Sequence, residues 1–203
     1  MYYPTKEEFK KLCKQGNLIP VYREILADVD TPVSAFIKLD SGKYTYLLES
    51  VEKGKKLGRY SFLGIHPFLI FQSKGKSAFV SYSNGRKEHY EIKVDPLEVL
   101  KKIMQRFKVV TLPHLPIFFG GAVGYIGYDL VKFWEKVPDL RKEELGFPDC
   151  FFIFTSSLII FDHLEHKVKI ISYAFLNGEF SEKIYQQAKD CLLYTSDAAD
   201  ELD

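Results

Sequence analysis

Hydrophobic and polar positions along the chain switch repeatedly between a period near 3.6 and a period of 2, so helices and strands are expected to coexist. Thr5 and Glu8 have capping-box spacing, and Phe9, Leu12 and Cys13 follow at helical intervals up to Gly16. Ile19 to Leu26 is apolar and extended. Thr31-Pro32 is an N-cap followed by proline in the first turn, opening a helix with Ala35, Phe36 and Leu39 inward and Gly42 as its stop. Tyr44 to Val51 predicts a strand. It sets Tyr44, Tyr46, Leu48 and Ser50 on one face and Thr45, Leu47 and Glu49 on the other. The lysine- and glycine-rich run Glu52 to Gly58 is an exposed loop.

Further strands are predicted at Tyr60–Leu63, Phe68–Ser73, Ser77–Tyr82 and Glu88–Lys93, with Ser83-Asn84-Gly85 as the hairpin turn between the last two. Asp95-Pro96 with Glu98 starts a helix carrying Leu97, Leu100, Ile103, Met104 and Phe107 inward. Leu112 to Pro116 is a connector, Ile117 to Tyr128 a glycine-punctuated strand, and Asp129 to Lys136 a short helix. Phe151–Asp162 and Lys167–Phe175 form a long hairpin about Leu164-Glu165-His166. Ser181 begins a final helix with Ile184, Tyr185 and Ala188 on one side. The pattern predicts an α+β fold in which antiparallel β-sheets carry helices on their outer face.

Composition narrows the function classes. Lys and Arg number 28 against 27 Asp and Glu, so the net charge of +1 gives no pull toward nucleic acid or an anionic membrane. Hydrophobic residues make up 46% of the 203, enough for a real core. The longest apolar run, Phe151 to Phe161, is short and interrupted by Thr155, Ser156 and Ser157, so it does not span a bilayer, and the N-terminus lacks a signal-peptide core. Cys13, Cys150 and Cys191 share no metal- or disulfide-type spacing, which fits a reducing, cytoplasmic setting.

Most candidate chemistry reduces to structure. His163 and His166 flank a turn, with no third ligand at suitable spacing. No Ser, Cys or Lys lies in a nucleophile motif. The glycines of Gly120 to Asp129 match neither dinucleotide nor phosphate-loop spacing, and glycine inside a strand marks a bulge or a close backbone approach. Ala78 to Tyr82 matches only half of an RNA-recognition signature, with Ser77 where a stacking aromatic is required. Lys53, Lys55, Lys56 and Arg59 form a solvated basic loop, and Glu49-Ser50 has the composition of a turn device.

Four separated motifs carry a resemblance: Tyr22 to Pro32 followed by Ala35-Phe36, Leu47-Leu-Glu-Ser-Val51, Gly58-Arg-Tyr-Ser-Phe-Leu-Gly64, and Gly120 to Asp129 with Glu135-Lys136. In this order they resemble the N-terminal region of anthranilate synthase component I, a chorismate-utilising family of tryptophan biosynthesis. The resemblance implies conversion of chorismate to anthranilate and pyruvate by the intact enzyme. It also implies Mg²⁺ in a C-terminal catalytic domain and ammonia from a glutamine amidotransferase subunit, component II. For this region it implies no catalytic residue and no cofactor of its own, hence no synthase activity alone. What it implies instead is part of an L-tryptophan feedback site at Leu48, Glu49 and Ser50.

On this reading residues 1–190 are the feedback domain, with the glycines near Gly121 and Gly124 expected to pack close to the catalytic domain. Residues 191–203, Cys-Leu-Leu-Tyr-Thr-Ser-Asp-Ala-Ala-Asp-Glu-Leu-Asp, resemble a translated sequencing adapter and are expected to be a non-native tail. The large subunit of aminodeoxychorismate synthase, of the folate pathway, shares parts of the second and third motifs. A non-catalytic binding module is the reading from another class.

Overall fold

The structure is a computed structural model that describes residues 1–26, 31–40, 42, 44–50, 58–138, 146–176, 178 and 180–200. The backbone divides into two compact units, one of Met1–Pro67, Phe107–Gly120 and Thr155–Asp203, the other of Phe68–Arg106 and Gly121–Phe154.

In the first unit the strands are β1 (Tyr2–Tyr3), β2 (Leu18–Leu26), β3 (Tyr46–Leu48), the start of β4 (Tyr60–Lys74), the end of β8 (Cys150–Asp162) and β9 (Lys167–Phe175). They lie in the order β1-β2-β9-β8-β4-β3, and each recorded strand pair is antiparallel. Helices α1 (Lys6–Leu12), α2 (Pro32–Leu39) and α4 (Glu182–Asp200) cover one face. Phe9, Ala35, Leu39, Tyr185 and Ala188 from the helices pack against Ile19, Val21, Leu63, Ile159, Phe161 and Ile170 from the strands. The opposite face gathers Leu18, Tyr22, Leu158, Ile160, Ile171 and Tyr173, against which Leu115 of the connector and Phe118 and Phe119 just after it pack. The inner strands are therefore buried on both sides, which is why Leu18 to Tyr22 reads as an unbroken apolar run rather than an alternation.

Local signals place the helix ends. Thr5 and Glu8 form the reciprocal capping box. At α2, Thr31 pairs the same way with Ser34, a partner outside the usual Glu/Gln pattern. The tail segment is helical as far as residue 200, with Leu192 and Thr195 fully buried.

The second unit contains the rest of β4, then β5 (Ser77–Tyr82), β6 (Lys87–Glu91), α3 (Pro96–Met104), β7 (Ala122–Ile126), a 3-10 turn at Tyr128–Phe133 and the start of β8. Its strand order is β7-β8-β4-β5-β6. The side chain of Asp95 caps α3 through the Glu98 amide and also accepts a hydrogen bond from the Trp134 indole at 3.3 Å.

Several boundaries differ from expectation. Tyr60–Leu63 and Phe68–Ser73 belong to one strand, in which His66 takes a left-handed φ of 55° and its carbonyl accepts from the Ser156 hydroxyl at 2.9 Å. The predicted strand Tyr44–Val51 shortens to Tyr46–Leu48, with Val51 outside the described residues. Ile117–Tyr128 shortens to Ala122–Ile126. In α3 the buried face is Val99, Leu100 and Ile103, and Met104, which lies about 100° round the helix from Ile103, is 43% exposed. The Lys53, Lys55 and Lys56 loop and Asp28 to Asp30 lie outside the described residues.

Gly124 meets a close neighbour in β8 of its own unit. A Cβ there would stand 1.9 Å from the Phe151 carbonyl oxygen and 2.7 Å from the Phe152 Cα. Nothing lies within 4 Å of a Cβ built at Gly121. Gly124→Ala is expected to cost about 2–3 kcal/mol, read as a lower urea midpoint, because the clash is with backbone that cannot turn aside.

The turn after β8 is fixed by charge. Arg59 Nε and Nη2 donate to both oxygens of Asp162, the shortest contact being 2.6 Å, and Nη2 also reaches Glu165 at 2.9 Å. Burial pushes the Asp162 carboxyl up, but the Arg59 pair and the amides of Glu165 and Leu164 outweigh it and hold the group below the usual carboxylate range. A carboxyl lowered in the folded state stabilises the fold above its unfolded pKa of about 3.9 and loses that contribution as pH falls through the folded value. Asp162→Asn should therefore be less stable than the parent at neutral pH, and the two urea midpoints should converge in strong acid.

Candidate functional site

The three residues singled out by the resemblance sit at the end of β3. Pairing of Tyr46 with Gly64, Leu47 with Leu63 and Leu48 with Phe62 fixes the register, and one further step sets Glu49 opposite Ser61. This register depends on Gly64. A Cβ there would fall 2.2 Å from the Tyr46 ring, so the ring lies across bare backbone. Leu47 packs toward the helices and Tyr46 toward the other face. Leu48 is 39% exposed, and Glu49 and Ser50 are exposed beside it. The structure thus brings Leu48, Glu49 and Ser50 together on an accessible rim, while Tyr46, expected beside Leu48, belongs to the core.

Two residues that sequence reasoning assigned no role complete the rim. The Ser61 hydroxyl lies 3.3 Å from Glu49 Oε1 and 2.7 Å from His163 Nε2. His163 is held there by its own amide, which donates to the Arg59 carbonyl at 2.9 Å. Ser61 is only 2% exposed. Its hydroxyl is enclosed between two partners, an arrangement unlike an attacking nucleophile, where serine needs an open side. The Arg59 guanidinium stands 4.9 Å from the Tyr60 ring and is already engaged by Asp162 and Glu165. Glu49 is an exposed carboxylate beside the partly exposed apolar side chain of Leu48.

Other candidates resolve as structure. His163 bonds Ser61, and among the described residues no three His, Cys, Asp or Glu side chains converge to hold a metal. The donor set for Mg²⁺ is not found among them, and no step through the ion can be derived from these residues. Phe79 and His89 form a tilted cross-strand ring pair with centroids 4.9 Å apart. Cys191 meets Ser157 at 3.3 Å. Burial raises its thiol pKa, but hydrogen bonds from His66, Ser157 and Ser172 outweigh that and bring it to about 7. No helix among the described residues is long and apolar enough to cross a membrane.

The chain is similar to known proteins over most of its length. The anthranilate synthase component 1 of Acetivibrio thermocellus is 42% identical over 190 residues, which is 94% of this chain and 38% of that protein. The protein of the same name from a Synechocystis species is 39% identical over 181 residues, 88% of this chain and 35% of that one. The crystal structure of anthranilate synthase component I from Streptococcus pneumoniae matches with a TM-score of 0.53 at 26% identity, covering 85% of this chain and 36% of that one. The chain thus spans a little over a third of the length of these relatives. The family model described as chorismate binding enzyme matches residues 43–201, most of the chain, including the β3 rim, β4, and the β8–β9 turn, and on that match the protein belongs to the chorismate binding enzyme family.

Proposed function

We propose that this chain is the tryptophan-sensing part of an anthranilate synthase component I, an enzyme that makes anthranilate and pyruvate from chorismate. In that enzyme ammonia is delivered by a glutamine amidotransferase partner, component II, in the cytoplasm, and residues 1–190 of this chain form its feedback region ahead of the catalytic domain. Residues 191–203 are read as a non-native extension, and the isolated chain as inactive. The observation that carries the proposal is the exposed trio Leu48, Glu49 and Ser50 at the end of β3, in a chain 36–42% identical to proteins named anthranilate synthase component 1.

Free L-tryptophan presents an ammonium, a carboxylate and an indole. Glu49 accepts from the ammonium in a charge-assisted hydrogen bond. The Ser50 hydroxyl donates to the carboxylate, and Leu48 offers the indole an apolar contact. Burying about 200 Å² of indole at about 25 cal/mol/Å² contributes about 5 kcal/mol before ordering costs, so measurable affinity requires both polar ends to be matched as well. Inhibition follows if tryptophan binds one arrangement of the intact enzyme better than another. A coupling of about 1–3 kcal/mol is sufficient for regulation of this kind.

Two measurements test the proposal. The purified chain, given chorismate, Mg²⁺ and ammonia, should produce no anthranilate above background. In an anthranilate synthase component I carrying this region, Ser50→Phe should raise the half-inhibitory concentration of L-tryptophan about tenfold or more, a loss of about 1.4 kcal/mol, while kcat changes little. Superimposable inhibition curves for parent and variant would remove Ser50 from the site.

A further inference from the structure

The hydrogen-bond geometry around Ser61 leaves one consistent arrangement of protons. An ionised Glu49 is an acceptor only, so the single hydroxyl proton of Ser61 points to Glu49 Oε1, 3.3 Å away. Ser61 Oγ must then accept from its other neighbour, and His163 Nε2 at 2.7 Å carries the proton that fills that place. The reverse arrangement, with Ser61 donating to His163, would leave two oxygen lone pairs facing each other at the carboxylate. Both the neutral Nε2–H imidazole and the imidazolium satisfy the observed chain, so it persists when the ring gains a proton.

Each member is fixed from behind. Ser61 is nearly fully buried within β4. His163 follows directly on Asp162, which Arg59 clamps, and its amide is bonded to the Arg59 carbonyl. Glu49 is the outward end: an exposed, otherwise mobile side chain given one preferred direction by a buried donor. A ligand that needs the carboxylate in one place then loses less conformational entropy on binding.

We infer that Ser61 and His163 are positioning residues that hold the Glu49 carboxylate in place for the ammonium group of an amino-acid ligand, so that this rim selects α-amino acids over their deaminated analogues. The inference rests on the tryptophan-sensing reading above and extends it from the exposed trio to two residues behind it. Neither need touch the ligand. Their effect is specific to one of its functional groups, which general loosening of β3 or β4 would not reproduce.

The test compares L-tryptophan with indole-3-propionate, which has the same ring and carboxylate and no amine, in calorimetric titrations of an anthranilate synthase component I carrying this region. Ser61→Ala should weaken L-tryptophan about tenfold and change indole-3-propionate less than twofold, with the thermal midpoint kept as a check on folding. His163→Phe should behave like Ser61→Ala. His163→Gln, which keeps an N–H donor near the position of Nε2, should retain most of the selectivity. In the 203-residue chain, ¹⁵N spectra of labelled histidine should show His163 protonated at Nε2, with the signal displaced in Ser61→Ala. Equal losses for both ligands, or none for either, would overturn the positioning role while leaving the tryptophan-sensing reading standing. A parent enzyme that binds neither ligand would refute that reading, and this inference with it.

Discussion

The burial of β8 and β9 on both faces is the constraint from which the rest of the first unit follows. Leu158 and Ile160 face one cluster, Ile159 and Phe161 the other, and β9 repeats the arrangement with Ile170 and Ile171. Strands so enclosed have few alternative registers, since a slip by one residue would exchange two fully packed faces. Their one sharp turn is therefore held in place from below. It delivers Asp162 to Arg59 and His163 to Ser61 at the same end of β4.

The buried charged groups of this frame are placed with partners. Lys169, at 9% exposure, bonds Glu24 across the β2–β9 ladder at 2.9 Å, where the register sets the two residues opposite each other. Lys167 reaches the same carboxylate at 2.8 Å, and together the two ammonium groups hold Glu24 below the ordinary carboxylate range. The Arg59, Asp162 and Glu165 group is the same device at the turn, where one guanidinium engages two carboxylates.

How much of this was legible in the sequence depends on whether the signal is local. Capping residues Thr5, Thr31 and Asp95, the Ser83-Asn84-Gly85 turn and the β8–β9 hairpin act within a few residues, and each lies where the pattern set it. The continuity of β4 was hidden, because His66-Pro67 looks like a break and no local signal shows that the strand runs through it. Leu48, Glu49 and Ser50 came from a motif and prove accessible together. Ser61 and His163 were out of reach: one looked like an ordinary strand position and the other like half of an unconvincing metal pair. Their meeting depends on pairings between segments 12 and 102 residues apart, which no local pattern encodes.

The bare backbone at Gly64 has a consequence of its own. The Tyr46 ring occupies the space that any side chain at 64 would claim, and Tyr46 opens the short strand whose other end presents Glu49. A single methyl group added there would force the aromatic ring aside. Where an exposed carboxylate stands can in this way depend on an empty place beneath a ring.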